Sequence, residues 1–269
     1  WYKLAVLKDG IYKVTYNEVL NMGVNMESVT LQNIRLYGNG GGMVPQLNSI
    51  FRYDDLQENA IEVVDANTNN TFDNGDYFLF YGQSPDRWSY TTSDNRYHHQ
   101  RNIYSDSTFY FITFSNSNQP KRIAAIESLA PSAPDRNIST FTDYSFHEND
   151  DKNFLKSGRE WYGETFDINT DQHFLFSFPG LVPGSAYLRT NAIARTTVDA
   201  FVNSYFQVFA NGVQIFNQAY PSVGTDNLAA HATEVTEAGV FTASSNDVDI
   251  EFKFLPYNST STGWLNYIE

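Results

Sequence analysis

The second half of the chain is a series of short β-type segments separated by turn residues, and this pattern most constrains the fold. The segment Val248–Phe254 alternates apolar and charged residues, so one face of that strand should be buried and the other wet. Asn211 and Gly212 predict a two-residue hairpin turn, because both accept the positive φ angles of a type I′ turn. Strands at this spacing, with few helix signals, predict a β-sandwich or jelly roll. The other strands are predicted at Trp161–Phe166, His173–Phe178, Ala186–Ile193, Tyr205–Ala210 and Val213–Asn217.

The first half is also predicted to be rich in β-structure. Gly10–Thr15 alternates like a strand, and Phe109–Phe114 carries bulky groups on both faces, as expected where both faces are covered. A short helical turn is predicted at Glu18–Met22, with Asn17 as its N-terminal cap and Gly23 at its end.

The two halves are predicted to be separate domains. Between about residues 115 and 150 the strand pattern fades, and Ala130–Asp135 has the composition of a linker. The chain is therefore expected to be mainly β, with a few short helices. The expected parts are an N-terminal β-rich domain at 1–125, a linker at 126–145 and a β-sandwich at 146–269.

A polar run of twelve residues, 65–76, stands between two strand-like segments, Ile61–Val64 and Tyr77–Tyr81. Oxygen-bearing side chains recur in this run at the ligand spacing of an EF-hand calcium loop. Asn70 replaces the usual Gly of position 6 but can adopt the same left-handed conformation. Asp76 replaces the usual bidentate Glu of position 12 and is shorter. The predicted calcium ligands are Asp65, Asn67, Asn69, Thr71, Asp73 and Asp76.

This run has two interpretations. The first is a structural Ca²⁺ site within a β-hairpin, without the helices of an EF-hand. The second is a plain polar hairpin loop, because Asn, Asp and Gly dominate turns for backbone reasons alone.

The charge balance excludes one large class of function. The chain has 17 Lys and Arg residues against 31 Asp and Glu, a net charge of −14. Nucleic-acid binding needs a basic surface to meet the phosphates, so no nucleic-acid partner is expected. The 21 Phe, 18 Tyr and 4 Trp residues favour sheet faces and broad, rigid contact surfaces.

No catalytic residue is predicted in this chain. Cysteine is absent, so there is no disulfide, no thiolate metal ligand and no cysteine nucleophile. There is no G-x-S-x-G motif and no run of about 18 apolar residues that would span a membrane. The chain starts at Trp1 rather than Met, and Gly263–Glu269 stops inside an apolar stretch. We therefore expect a piece of a longer protein, with the targeting signals lying outside it.

Several segments, in their shared order, resemble the N-terminal, pre-catalytic region of the PorU-like sortases. These belong to the type IX secretion system of the Bacteroidetes and to the gingipain-type cysteine peptidase family. The resemblance spans essentially the whole chain, and Gly263–Glu269 resembles the junction before the catalytic domain of that family. The resembling segments are Lys8–Val14, Ile34–Gly41, Phe72–Gly82 and Ser157–Phe166.

The resemblance implies a parent protein that is exported and associated with the outer membrane, at the cell surface of a Gram-negative bacterium. Its C-terminal protease domain would carry a Cys-His dyad, remove the C-terminal signal of secreted cargo and attach the cargo to anionic lipopolysaccharide. The implied partners are that protease domain, an outer-membrane protein of the secretion system and the cargo proteins.

Three roles are open for this region itself. It can be an accessory module that docks the protease to its outer-membrane partner, since aromatic anchors dominate protein contacts. It can be a carbohydrate-binding or adhesive β-sandwich in which Trp161, Tyr162 or Trp264 stacks on sugars. It can also act like a prodomain that shields the protease active site.

Overall fold

The chain forms two compact units, Trp1–Asn137 and Ile138–Glu269, each with its own hydrophobic core. The structure is a computed structural model and describes residues 1–116, 118–127, 138–154, 156, 159–198 and 200–269. The linker-like stretch Ala130–Asp135 lies outside the described residues, as do Ser157 and Gly158. The domain bounds expected from the sequence, including the linker at 126–145, stay predictions.

The first unit consists of two antiparallel sheets, a hairpin and two short helices. One sheet has the strand order β1-β9-β3-β4, the second has the order β2-β6-β5, and β7 pairs with β8. The helices are α1, Tyr16–Asn21, and a 3-10 helix, Met26–Ser28. The strands are β1 Tyr2–Val6, β2 Gly10–Thr15, β3 Ile34–Tyr37, β4 Glu58–Asn59, β5 Glu62–Val64, β6 Tyr77–Gly82, β7 Arg87–Thr91, β8 Arg96–Gln100 and β9 Thr108–Phe114.

The start of helix α1 corrects one prediction. The N-terminal cap is Thr15, not Asn17: the Thr15 hydroxyl accepts the backbone N–H of Glu18, and the Glu18 carboxylate accepts the backbone N–H of Thr15. This capping box satisfies two backbone donors at once, which a cap at Asn17 would not. Gly23 follows the helix with φ of 82°, which confirms its predicted role at the C-terminal end.

The described residues of the second unit form nine strands in two sheets. One sheet has the order β10-β18-β13-β16, with β11 also paired to β18, and the other has the order β12-β17-β14-β15. The strands are β10 His147–Glu148, β11 Thr165–Phe166, β12 Asp171–Ser177, β13 Gly184–Arg195, β14 Asn203–Ala210, β15 Val213–Pro221, β16 Thr233–Ala243, β17 Asp247–Leu255 and β18 Thr262–Ile268.

The last eight strands pair first with last, second with second-to-last, and so on toward the middle of the series. Strand β11 pairs with β18, β12 with β17, β13 with β16 and β14 with β15, all antiparallel. This is the arrangement of one long hairpin folded over into two sheets, which is the jelly roll predicted from the sequence. The predicted strand Trp161–Phe166 is shorter in the structure, where only Thr165–Phe166 forms β11.

Alternation along the strands positions the second core as predicted. Val248, Ile250, Phe252 and Phe254 of β17 are buried, while the charged residues between them face the other way. Asn211 and Gly212, with φ of 48° and 78°, make the predicted tight turn between β14 and β15. In the described part of the chain, no helix is long and apolar enough to span a membrane.

Two candidate cation sites

The first candidate site is the loop 65–76 of the first unit. Val64 of β5 lies opposite Tyr77 of β6, so the twelve residues between them close a β-hairpin, as the sequence predicted. Phe72 is buried in the core of the unit, and Thr71 forms an isolated β-bridge with Thr30. The loop is therefore anchored at its middle as well as at its ends.

Three predicted ligands of this loop converge on Asp73. Asn67 Nδ2 donates to Asp73 Oδ1 at 3.0 Å, and Asn69 Nδ2 donates to Asp73 Oδ2 at 2.6 Å. The Thr71 hydroxyl donates to Asp73 Oδ2 at 3.1 Å. The hydrogen bond from Asn69, followed by that from Asn67, lowers the pKa of the Asp73 carboxyl below its ordinary value. Asp73 is therefore the centre of a small polar cluster and stays ionised well into the acid range.

Asp65 shapes the start of the loop. Its carboxylate accepts the backbone N–H of Asn70 at 2.8 Å and that of Asn69 at 3.3 Å. Asn70 has φ of 64°, the left-handed conformation that the missing Gly of position 6 would supply. The backbone of this loop thus makes the turn that the calcium-loop pattern requires.

Asp76 holds the two ends of the loop together. Its side chain is 1% exposed, and its two oxygens accept the backbone N–H of Ala66 and of Asp73, both at 2.8 Å. A carboxylate oxygen has two lone pairs, so each oxygen keeps one after these bonds. Asp76 has a structural role in the loop whether or not it also binds a cation.

The loop offers oxygen ligands of the kind that Ca²⁺ prefers. In the present arrangement Asn67 and Asn69 turn their amide nitrogens toward Asp73, and rotation about the terminal side-chain bond would present their oxygens instead. The three aspartates of the loop are not among the groups of His, Cys, Asp or Glu that gather within 4.8 Å in the described residues. The ligand set read from the sequence stays a prediction.

A second candidate site lies on β12 and β17, and the sequence did not reveal it. Asp171, His173 and Glu251 bring one ligand atom each within 4.8 Å of one another. In the antiparallel register His173 lies opposite Glu251, and Asp171 lies opposite Lys253. Because residues two apart on a strand share a face, all four side chains lie on the solvent face of the sheet. The pairing joins residues about 80 apart in the chain, and no local spacing signals it.

This second site already contains a cation of its own. Lys253 Nζ lies 3.1 Å from Asp171 Oδ2 and 2.9 Å from Glu251 Oε1. Hydrogen bonds to Glu251 and Asp171 raise the pKa of the Lys253 ammonium, so the lysine stays charged. His173 Nδ1 lies 2.8 Å from Asp249 Oδ2, and this hydrogen bond raises the pKa of the imidazole. A metal ion at this triad would have to displace Lys253.

The three aromatic residues considered for sugar stacking differ in their exposure. Tyr162 and Trp264 are each 8% exposed, while Trp161 is 36% exposed. Phe154 packs against both buried rings, with centroids 5.6 Å from Tyr162 and 4.6 Å from Trp264. Phe154 therefore covers part of the Tyr162 ring and part of the Trp264 ring.

The comparisons with known proteins include a structural match that covers the whole chain. No protein-family model matches, and no curated protein matches the sequence. The match is to a crystal structure of dimeric latent PorU from Porphyromonas gingivalis, with a TM-score of 0.74 and 21% sequence identity. It covers 100% of this chain and 24% of that chain, so this chain spans about a quarter of PorU's length.

A second structural match is too distant to support an argument. A carbohydrate-binding module, CBM36 in complex with calcium and xylotriose, has a TM-score of 0.28 and 9% identity over 48% of this chain and 89% of that chain. The similarity to PorU shows a shared fold and agrees with the resemblance noted in the sequence. This chain has the fold of a part of PorU.

Proposed function

We propose that this chain is the N-terminal, non-catalytic accessory region of a PorU-like cysteine peptidase at the bacterial cell surface. The observation that carries the proposal is the fold match, which covers the whole of this chain but only 24% of PorU. The segments that resemble the pre-catalytic region of this family support it, since they span both units. The absence of cysteine agrees with it, because a Cys-His dyad would belong to another part of the parent protein.

The parent protein would act as a type IX secretion sortase. It would remove the C-terminal signal of cargo proteins and attach the cargo to anionic lipopolysaccharide, as an exported protein associated with the outer membrane. Sequencing the parent gene beyond Glu269 tests this directly. We expect several hundred further residues that contain a peptidase domain with one His and one Cys on adjacent strand ends. A stop codon shortly after Glu269 would refute the sortase proposal.

We infer that the region docks the peptidase to an outer-membrane partner protein through the first unit. Ile11 of β2 lies opposite Tyr81 of β6, and the two side chains are 76% and 57% exposed. Their neighbours Tyr12 and Phe80 stack on each other with centroids 5.6 Å apart. An exposed apolar pair on a rigid sheet is a suitable anchor for a protein partner, because a few large residues supply most of the binding energy.

The docking role is tested by affinity capture of the outer-membrane partner. The parent protein is compared with a variant that lacks residues 1–269 and with the double variant Ile11→Ser/Tyr81→Ser. We expect both variants to lose at least tenfold in partner binding, about 1.4 kcal/mol. The matched control is Val240→Ser, which changes an exposed apolar residue of the second unit. Unchanged capture without residues 1–269 would exclude the docking role.

The prodomain role is tested separately, by adding residues 1–269 to the isolated peptidase domain. Slower cleavage of a peptide substrate would show shielding in trans. An unchanged rate would exclude the prodomain role.

A structural Ca²⁺ ion in the loop 65–76 is part of the proposal. The ligands would be Asp65, Asn67, Asn69, Thr71, Asp73 and Asp76, and the ion would fix the hairpin that joins β5 to β6. The support is the convergence of Asn67, Asn69 and Thr71 on Asp73 together with the left-handed turn at Asn70.

A carbohydrate-binding or adhesive module is the alternative. The jelly roll favours it, because lectin domains use this architecture. Of the proposed stacking residues, however, Tyr162 and Trp264 are each only 8% exposed, against 36% for Trp161. Binding on a glycan array that includes lipopolysaccharide, lost in Trp161→Ala, would support this alternative, and silence across the array would exclude it.

A further inference from the structure

The second unit has a pocket on the outer face of its β18-β13-β16 sheet. Ala192 and Ala194 of β13 face the core, so Ile193 between them faces outward. Ile193 lies opposite Trp264 of β18 and opposite Glu234 of β16. Lys152 and Tyr162 form an isolated antiparallel bridge. Phe154 and Tyr162 pack over this outward face.

The floor of the pocket is aromatic and apolar. The cavity has a volume of about 270 Å³, and its walls include Phe154, Tyr162, Ile193 and His231. The Phe154 ring lies 5.6 Å from Tyr162 and 4.9 Å from His231, centroid to centroid. Behind it lies Trp264, whose buried Nε1 has no hydrogen-bond partner among the described residues. Aromatic ring faces carry partial negative charge and attract cations.

The rim of the pocket is acidic. The carboxylates of Glu160 and Glu234 line the cavity, and both residues are exposed. Burial, followed by the charges of Glu234 and Glu160, raises the pKa of the Tyr162 hydroxyl to about 12. Glu234 also accepts a hydrogen bond from Asn191 at 2.8 Å, which fixes its side chain.

Arg195 lies beside the described lining of the pocket, through its contact with His231. Arg195 donates to Nδ1 of His231 at 2.7 Å and to its backbone oxygen at 3.1 Å, so it is engaged with the histidine. Burial and the charge of Arg195 lower the pKa of His231, so the imidazole is neutral at pH 7. Among the described residues that line the cavity, none is Lys or Arg. This differs from the Asp171 cluster, where Lys253 lies between the carboxylates.

We propose that this pocket binds the side chain of an arginine from another polypeptide. A guanidinium group is planar, stacks on aromatic faces and donates to carboxylates in a fixed fork geometry, so it matches both the aromatic floor and the acidic rim. The volume is just below the roughly 300–1,000 Å³ of drug-sized ligand pockets, which suits one side chain. This inference concerns the second unit and does not depend on the docking surface at Ile11 and Tyr81.

The test is an NMR titration that follows the indole N–H signal of Trp264, assigned with Trp264→Phe. The probe is Nα-acetyl-arginine methylamide, and the matched control probe is Nα-acetyl-citrulline methylamide, which has nearly the same shape without the charge. We expect a saturable shift with the arginine probe and at least a tenfold weaker response to the citrulline probe.

Two variants locate the binding. Glu160→Gln/Glu234→Gln removes both rim charges while it keeps an acceptor for Asn191, and it should weaken the arginine probe at least tenfold. Asp171→Asn/Glu251→Gln removes two carboxylates of the other sheet and should leave the affinity unchanged. Equal responses to the two probes, or no response to the arginine probe at millimolar concentration, would overturn the proposal. A response to xylotriose in place of arginine would also overturn it and indicate a sugar site.

Discussion

The loop 65–76 and the cluster on β12 and β17 both gather acidic side chains, but they compensate the negative charge in different ways. In the loop, Asp73 receives hydrogen bonds from the neutral groups of Asn67, Asn69 and Thr71. In the cluster, the ammonium group of Lys253 lies within 3.1 Å of two carboxylates. In the loop, a calcium ion would supply positive charge that the neutral donors do not provide. In the cluster, a calcium ion would compete with the ammonium group of Lys253 for the carboxylates.

The two sites also differ in how close their ligand atoms lie to one another. The cluster satisfies the distance criterion for three ligands, and the loop does not. All candidate ligands of the loop, however, belong to one short segment, so the conformational entropy lost when the chain rearranges around an ion is small. We therefore propose the loop as the calcium site, and the cluster as a surface ion-pair network in which Lys253 takes the place of a metal ion.

The largest expected effect is on Asp76, which is buried and accepts two backbone N–H groups. Asp76→Ala should destabilise the first unit by about 3 kcal/mol, because each buried donor left without an acceptor costs about 1–3 kcal/mol. Urea unfolding measures the loss, and hydrogen exchange at Phe78 and Phe80 assigns it to the first unit. The control Asp171→Ala changes an exposed carboxylate and should cost about 0.5 kcal/mol or less. Equal losses in the two variants would remove the distinction between the sites.

Much of the fold could be predicted from the sequence. The alternation in Val248–Phe254 and the Asn211-Gly212 turn are local signals, and the structure confirms both. The capping box of α1 is also a local signal, since Thr15 and Glu18 have the required spacing in the sequence. The prediction of Asn17 as the N-terminal cap is wrong because it ignores this spacing.

The candidate sites could be predicted from the sequence only in part. The loop 65–76 is one contiguous segment, so its candidate ligands could be named from the sequence alone. The pairing of His173 with Glu251 and the approach of Phe154 to Ile193 depend on which distant strands become neighbours. Sequence spacing carries no information on those contacts, because they arise from the nesting of the jelly roll as a whole.

A second, smaller effect is expected when the lysine of the cluster is removed. Lys253→Met should allow the one histidine and two carboxylates of the cluster to bind Zn²⁺ at least about tenfold more tightly, about 1.4 kcal/mol. Titration calorimetry of the variant and the unmodified protein measures the difference, and Lys253→Arg, which keeps the charge, is the control. If the unmodified protein bound Zn²⁺ as tightly as Lys253→Met, the lysine would not be protecting the cluster.

The smallest effect is a pH dependence from His173. Its pKa is raised in the folded state by Asp249, so the pair stabilises the fold below the ordinary histidine value of 6.5. That contribution is lost as the pH rises through the folded-state pKa. The side chains of His173 and Asp249 are 54% and 35% exposed, so salt should weaken the effect. Thermal unfolding between pH 5 and 8 should show a small slope that His173→Gln removes, and a slope unchanged in that variant would assign it elsewhere.

Titration calorimetry of calcium binding tests most directly which of the two sites binds the ion. The unmodified protein and Asp171→Ala/Glu251→Ala should each bind one Ca²⁺, and Asp65→Ala/Asp73→Ala should bind none. At calcium about 100-fold above the dissociation constant, binding should stabilise the fold by about 2.7 kcal/mol, so EDTA should lower the melting temperature and calcium should restore it. No calcium heat in the unmodified protein, or binding lost only in Asp171→Ala/Glu251→Ala, would contradict the assignment of the calcium site to the loop 65–76.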